Sequence, residues 1–87
     1  KTHPLSSDVE RTPSDQPDWE LRRLQAIGTR IRIAREHANL SQVRLGEIVG
    51  VDHKTIHRIE HGVSDPSLGL LLQIARAVGV PLAELVR

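Results

Sequence analysis

Cysteine is absent from this 87-residue chain, and Trp19 is its only aromatic residue, since the chain has no Phe or Tyr. Without cysteine the chain can have neither a disulfide framework nor a cysteine-based metal site, which fits a reducing, cytoplasmic compartment. No apolar run approaches the ~18 residues of a membrane-spanning helix, and no signal peptide is visible. A phosphate-binding glycine loop is also missing. The sequence therefore gives no sign of membrane association and little support for an enzyme.

Charge is divided unevenly along the chain, whose formal net charge is +1. Residues 1–18 have a net charge of −2 and contain Pro4, Pro13 and Pro17 among Ser, Thr and Asp residues, without a sustained hydrophobic period. This composition predicts a disordered acidic tail. Residues 19–87 carry ten Lys or Arg against seven acids, a net charge of +3. We expect one small folded domain there, and its mild basicity suits nucleic-acid binding if the cations share one face.

Residues 40–62 read as two short helices joined by a tight turn. Ser41 and Asp52 are N-cap residue types, and Gly50 and Gly62 stand where a left-handed residue would end each helix. Between them an apolar stripe at helical spacing is predicted to be buried: Leu45, Ile48 and Val49. A helix-turn-helix over residues 41–61, of the kind that lays its second helix in the major groove of DNA, fits this pattern.

The second of these helices separates its side chains into two arcs. At about 100° per residue, Thr55, Ile56, Ile59 and Glu60 share one side. The opposite side carries only basic or imidazole groups: His53, Lys54, His57, Arg58 and His61. A solvated charged surface is the alternative interpretation. The lack of any acid on this side, directly after a glycine turn, favours contact with DNA.

Residues 27–85 resemble the lambda-repressor-like helix-turn-helix family, also called XRE or Cro type. The matching residues are Leu40-Ser41-Gln42, Leu45, Gly50-Val51, Thr55-Ile56, Arg58-Ile59-Glu60, Gly62, Pro66-Ser67-Leu68, Leu71-Leu72, Ile74-Ala75, Ala77, Gly79-Val80, Leu82 and Glu84-Leu85. The resemblance implies an all-α domain of five short helices, with the second and third forming the DNA-binding pair. It also implies that Gln42 bonds a backbone phosphate and braces the recognition helix, and that Arg35 pairs with Glu60.

One departure from the family pattern lies in the second helix. The family commonly carries an acid near position 43 or 44, where this chain has Val43 and Arg44. Ser41 therefore lacks the acidic partner of a capping box, and Arg44 adds a positive charge near the expected DNA.

The remaining residues predict three further helices and no strand. A helix over 19–37, with its first eight residues an extension of the family's first helix, is capped by Asp18 and weakened by about 1 kcal/mol at Gly28, where a break is possible. A helix over 67–78 follows, and Pro81 opens a last helix ending at Val86. The expected buried residues of the first of these helices are Trp19, Leu24, Ile27, Ile31, Ala34 and Ala38, and those of the helix over 67–78 are Leu68, Leu71, Leu72, Ala75 and Val78.

Nine residues form the candidate DNA-binding set. Base readers are expected from His53, Lys54 and Arg58, since Lys and Arg favour guanine O6 and N7 and a histidine N–H can donate to N7. The remaining members are expected to contact phosphates or to support the readers: Ser41, Gln42, Arg44, His57, His61 and Thr55, with His57 able to do either and Thr55 placed to pack against the preceding helix.

The sequence as a whole indicates a transcriptional regulator of repressor type, with double-stranded DNA as its partner. An apolar edge of Leu82, Leu85 and Val86, aided by Trp19 and Leu21, predicts a homodimer. Alternatives are an antitoxin, a restriction-modification controller, or a protein-interaction module with the same fold. An effector could act through a domain outside this chain. No acid or cysteine joins the ladder of His53, His57 and His61, so neither a native metal site nor a cofactor is predicted.

Overall fold

The computed structural model describes residues 17–87. Of the predicted disordered tail, residues 1–18, all but Pro17 and Asp18 lie outside the described residues, and Asp18 is helical. Five α-helices and no strand occur within residues 17–87, as the sequence predicted. They are α1 (Asp18–His37), α2 (Gln42–Val49), α3 (His53–Glu60), α4 (Leu68–Val78) and α5 (Leu82–Val86). None of them is long and apolar enough to cross a bilayer.

Helix ends follow the capping residues that the sequence contains. The Ser41 hydroxyl accepts a hydrogen bond from the Arg44 amide at 2.9 Å, and the Asp52 carboxylate accepts one from the Lys54 amide at 2.6 Å. Ser67 caps α4 through the Leu70 amide at 3.0 Å. These bonds satisfy N–H groups that the first helical turn leaves without intrahelical partners. Asp18 was predicted as a cap and is instead the first residue of α1, after Pro17, with no side-chain cap bond.

α1 runs unbroken through Gly28, contrary to the possible break. A Cβ added at this glycine would lie 2.5 Å from the Glu60 carbonyl oxygen and would also collide with the carbonyl of Ile59. The absence of a side chain thus lets α1 lie directly against the C-terminal end of α3. Gly28 is a packing residue, and its cost in helix propensity is accepted for that contact.

All five helices contribute to one core. Its buried apolar residues are Ile31, Leu45, Val49, Ile56, Ile59, Ile74, Ala75, Val78 and Leu85. Five side chains have relative exposures below 2% and supply most of its volume: Ile31, Leu45, Ile56, Ile74 and Leu85. The helix-turn-helix therefore rests on a single small hydrophobic core.

Several residues predicted to be buried are exposed. Trp19 is 65% exposed and Ile48 is 45% exposed. In α4 the prediction was wrong at Leu68 and Leu72, which are 64% and 51% exposed, because the helix turns Ile74 into the core instead. The segment 68–75 is apolar at six of its eight positions, so its pattern left the direction of the buried face open.

Candidate nucleic-acid interface

The turn between α2 and α3 is built on a close backbone approach. Gly50 takes a left-handed conformation, with φ of 81°, and its amide and the next one both donate to the Gly46 carbonyl at 2.8 and 2.9 Å. A Cβ at Gly46 would lie 2.5 Å from the Val51 carbonyl oxygen. The two helices can therefore pack at this angle only with glycine, or a backbone shift, at position 46. Gly50 as the helix stop confirms the sequence prediction, whereas Gly46 was missed.

α3 divides into the two sides that its sequence predicted. Ile56, Ile59 and Glu60 are buried against the rest of the domain, and Thr55 is half-buried beside them. The outward side, named here the reading face, consists of His53, Lys54, His57 and Arg58, all of which are exposed. The reading face contains no acid. It therefore presents hydrogen-bond donors and the positive charges of Lys54 and Arg58, with the N-cap carboxylate of Asp52 beside His53 at its edge.

Behind the reading face, a buried carboxylate joins three helices. Glu60 is 5% exposed and accepts hydrogen bonds from Arg35 Nε at 2.6 Å and Arg35 Nη2 at 3.1 Å. The Gln42 side-chain amide donates to the same carboxylate at 3.0 Å, and Arg35 Nη1 donates to the Leu40 carbonyl at 2.8 Å. The structure thus contains the Arg35–Glu60 pair that the family resemblance implied.

Electrostatics at this pair favour its charged form. The hydrogen bond to Glu60 raises the pKa of Arg35 above its ordinary value, which outweighs the opposing effect of burial. The Arg35 guanidinium therefore keeps its positive charge at neutral pH. Because the paired groups are nearly out of solvent, they hold the orientation of α3 more firmly than a surface ion pair could.

The start of α2 carries the predicted phosphate contacts, but two of them are already engaged. The Ser41 hydroxyl accepts the cap bond from the Arg44 amide, and Gln42 bonds Glu60. The Arg44 guanidinium lies 3.2 Å from Glu47 in an exposed pair, with 61% and 60% of the side chains accessible. Exposed pairs of this kind are worth little and exchange readily with other anions, so Arg44 remains available to a phosphate.

Histidines occupy both ends of α3. His53 Nδ1 lies 3.6 Å from the Asp52 carboxylate, and His61 is the C-cap residue. The rings of His57 and His61 contact each other, with centroids 4.1 Å apart and an interplanar angle of 36°. His61 Nδ1 also forms a hydrogen bond with the His57 carbonyl at 2.9 Å. The structure brings these two rings together and leaves His53 one turn away.

The sequence prediction missed the packing roles of Gly28 and Gly46, and it did not identify Glu60 as the partner of Gln42. Gly28 and Gly46 fix how closely α1 and the turn approach α3, and the partner through which Gln42 braces α3 is Glu60. The signal for both glycines was present: a glycine inside an otherwise unbroken helix often marks a close backbone approach. The partner of Gln42 could not be found from spacing alone, because 18 residues separate it from Glu60.

Known proteins resemble this chain in both sequence and fold. A helix-turn-helix family model matches residues 31–85. The chain is 43% identical over 54 residues to an uncharacterized HTH-type transcriptional regulator of Sinorhizobium fredii, a match covering 62% of this chain and 38% of the relative. The chain thus spans well under half of that relative's length.

Solved structures share the fold. The restriction-modification controller protein C.AhdI of Aeromonas hydrophila superposes with a TM-score of 0.68 and 32% identity, covering 71% of this chain and 94% of that one. The clp gene regulator ClgR of Corynebacterium glutamicum gives a TM-score of 0.71 over 74% of this chain and 82% of its own, with 23% identity, which is a likeness of fold. With its capped helix pair, acid-free reading face and matching family model, the chain belongs to the lambda-repressor-like (XRE) helix-turn-helix family of DNA-binding transcriptional regulators.

Proposed function

We propose that this domain binds double-stranded DNA in a sequence-specific manner and places α3 in the major groove, as part of a cytoplasmic, nucleoid-associated transcriptional regulator. The observation that carries the proposal is the acid-free reading face on a helix whose opposite side is fixed by Arg35 and Gln42 through Glu60. A base-reading helix must be held still, because each hydrogen bond to a base edge depends on a fixed approach. The family is a class of DNA-binding regulators, and no catalytic role is proposed.

The exposed groups divide into base readers and phosphate contacts. His53, Lys54 and Arg58 stand on the first two turns of α3, where base edges are reached in this docking geometry. Arg44 and His61 flank α3 and suit the two phosphate backbones, and the first amides of α2 add the positive end of a helix dipole. His57 lies between the two groups, and half-buried Thr55 of α3 is expected to pack against α2.

The alternative class is a protein-interaction module, which a salt series with nonspecific DNA separates from a DNA binder. Phosphate contacts release counterions, so a DNA binder loses affinity steeply between about 50 and 200 mM salt. An interaction module would show almost no binding even at the lowest salt. Selection of sites from a random DNA pool then supplies the preferred sequence for quantitative work.

Two arginine substitutions test the assignment of roles. Arg58→Ala is expected to weaken binding to the selected site by about 1–3 kcal/mol and to relax one base position. Arg44→Ala should weaken all sequences alike and make the salt slope shallower by roughly one unit. Arg32→Ala is the matched control, because Arg32 is also exposed and lies 3.4 Å from an acid on its own helix but stands outside the candidate set. An unchanged base preference in Arg58→Ala would show that the recognition helix is misassigned.

The assembly that we propose is a two-fold dimer on a palindromic site, with half-sites about 34 Å apart. Its predicted apolar edge needs correction, since Leu85 is 1% exposed and belongs to the domain's own core. Half-buried Leu82 and Val86 remain, together with exposed Trp19. Sedimentation should show a dimer at high concentration, and a monomer that binds single half-sites only would refute this part.

Likeness to the controller C.AhdI favours one narrower role, which is control of a restriction-modification operon. This chain aligns with 94% of that protein, at 32% identity, so the described domain corresponds to almost the whole controller. The selection experiment bears on this role as well. A selected site that occurs upstream of restriction and modification genes in the source genome would support it, and a site that occurs only elsewhere would refute it.

A further inference from the structure

Two exposed imidazoles lie against each other where the reading face meets the C-cap of α3. His57 and His61 are four residues apart, so they stand one above the other on successive turns, and their ring centroids are 4.1 Å apart. The same spacing places two histidine ligands on one helix face in zinc enzymes. The proposed DNA contacts use these rings singly, whereas their contact with each other has no part in that role.

The separation of the rings suits chelation of one metal ion. A tetrahedral Zn²⁺ holds nitrogen ligands at about 2.0–2.1 Å, which places two ligand nitrogens about 3.4 Å from each other. Rings whose centroids are 4.1 Å apart and tilted by 36° reach that spacing through small side-chain rotations. Both side chains are exposed, so an ion with its waters has access from solvent.

His61 is also oriented as a metal ligand would be. Its Nδ1 lies 2.9 Å from the His57 carbonyl oxygen, which can only accept, so Nδ1 carries the proton. The neutral ring then offers its Nε2 lone pair to solvent. Metal-bound histidines usually donate their second ring N–H to a carbonyl or carboxylate in this way, which fixes the tautomer.

We propose that His57 and His61 form an open, two-ligand site for a late first-row divalent ion such as Zn²⁺, and that an ion bound there blocks the reading face. No group of three or more His, Cys, Asp or Glu residues that could hold a metal occurs within residues 17–87. Water therefore completes the coordination, and the ion exchanges with solvent, unlike a structural zinc held by four protein ligands.

The blocking effect rests on the proposed DNA-binding function. A coordinated ion consumes the Nε2 atoms through which these rings would bond a phosphate or a base. It also projects with its waters beyond the rings, where the DNA surface must come within hydrogen-bond distance of the neighbouring Arg58. Zinc should accordingly weaken DNA binding.

Calorimetric titration with ZnCl₂ tests the site without DNA. The proteins are the unmutated chain, His57→Gln, His61→Gln and the control His37→Gln, which removes an exposed histidine from the end of α1. Each change in the pair is expected to lower zinc affinity at least tenfold, because one imidazole cannot chelate, while His37→Gln keeps the original affinity. His3 lies outside the described residues and is present in all four proteins, so any zinc that it binds is common to them. Unchanged affinity in His57→Gln would overturn the site.

Fluorescence anisotropy with the selected DNA tests the blocking effect. Zinc at a saturating concentration should lower the DNA affinity of the unmutated chain and of His37→Gln several-fold, EDTA should restore it, and His61→Gln should respond little. Zinc that binds the pair but leaves DNA affinity unchanged or higher would overturn the blocking role. Failure of the metal-free chain to bind DNA would refute the proposed function instead, while calorimetry would still decide the metal site.

Discussion

Replacing Gly28 with alanine should destabilise the domain, although alanine is the better helix former. The new Cβ would lie 2.5 Å from the Glu60 carbonyl oxygen and 2.7 Å from its carbonyl carbon. These are backbone atoms, so no flexible side chain can move aside. α1 would have to move away from α3 by roughly 1 Å to reach an ordinary van der Waals separation.

The magnitude follows from two opposing effects. Alanine in a helix interior gains about 1 kcal/mol over glycine. Overpacking of a well-packed contact costs about 1–3 kcal/mol. The same displacement also pulls on Ile31 and Arg35, which share the Gly28 side of α1, and stretches the 2.6 Å hydrogen bond to Glu60. The first two effects leave a loss of about 0–2 kcal/mol, and the weakened hydrogen bond adds about 1 kcal/mol. We therefore expect a net loss of about 1–3 kcal/mol, or a fall in Tm of about 4 °C or more for a domain of this size.

Gly69→Ala is the matched control. Gly69 is also helical, but only Ser67 Oγ, at 3.9 Å, lies near its hypothetical Cβ. The same chemical change should therefore raise the free energy of unfolding by up to about 1 kcal/mol. Helix content during thermal or urea unfolding is the proper signal, because Trp19 is 65% exposed at the start of α1 and reports poorly on the core. Equal stabilisation by both substitutions would refute the close approach of α1 to α3.

A second prediction concerns the buried ion pair of Arg35 and Glu60. Arg35→Met should cost about 3–5 kcal/mol in urea unfolding by leaving the buried Glu60 carboxylate short of partners, and adding Glu60→Met should recover most of that loss. Arg32→Met, which breaks an exposed pair, should cost under about 0.5 kcal/mol, and a comparable cost at both arginines would contradict the argument.

Helix ends were predictable because capping chemistry is local. Ser41, Asp52 and Ser67 each bond an amide two or three residues later, so the few residues around each cap contain the whole interaction. Gly50 ends α2 in the left-handed region for the same local reason. Predicted and observed bounds consequently differ by about one residue. The failure at Asp18 is also local, since Pro17 already takes the extended N-cap conformation.

Burial was less predictable, because it depends on elements distant in the sequence. The apolar residues of α4 surround much of the helix, and only contact with α1, α2 and α5 selects Ile74 over Leu68 and Leu72. Leu85 lies in a helix of five residues, which is too short for a period to show which side is covered. Trp19 has a large apolar surface, yet the extension that carries it projects past the core.

In the candidate site, too, local features were predictable from the sequence and contacts between distant residues were not. Which side chains of α3 face outward follows from its own eight residues, since two buried isoleucines fix the opposite side. The contacts that hold α3 in that orientation do not follow from those eight residues. Glu60 is reached by Arg35 from α1 and by Gln42 from α2, across 25 and 18 residues of sequence. The family resemblance supplied the first contact and the bracing role of Gln42, and the structure supplied the atom that it braces against.

That arrangement gives Gln42 a way to couple phosphate contact to base reading. Its side-chain amide has two N–H donors and one acceptor, and the bond to Glu60 uses one donor. The second donor remains for a DNA phosphate at the start of α2. A phosphate held there would fix the Gln42 side chain, and Gln42 in turn fixes Glu60 and the inward side of α3. Gln42→Ala should then lower affinity for all sequences and also narrow the difference between the selected site and a one-base mismatch, measured by competition binding. A loss of affinity with the mismatch penalty unchanged would show that Gln42 contacts the phosphate without bracing the readers.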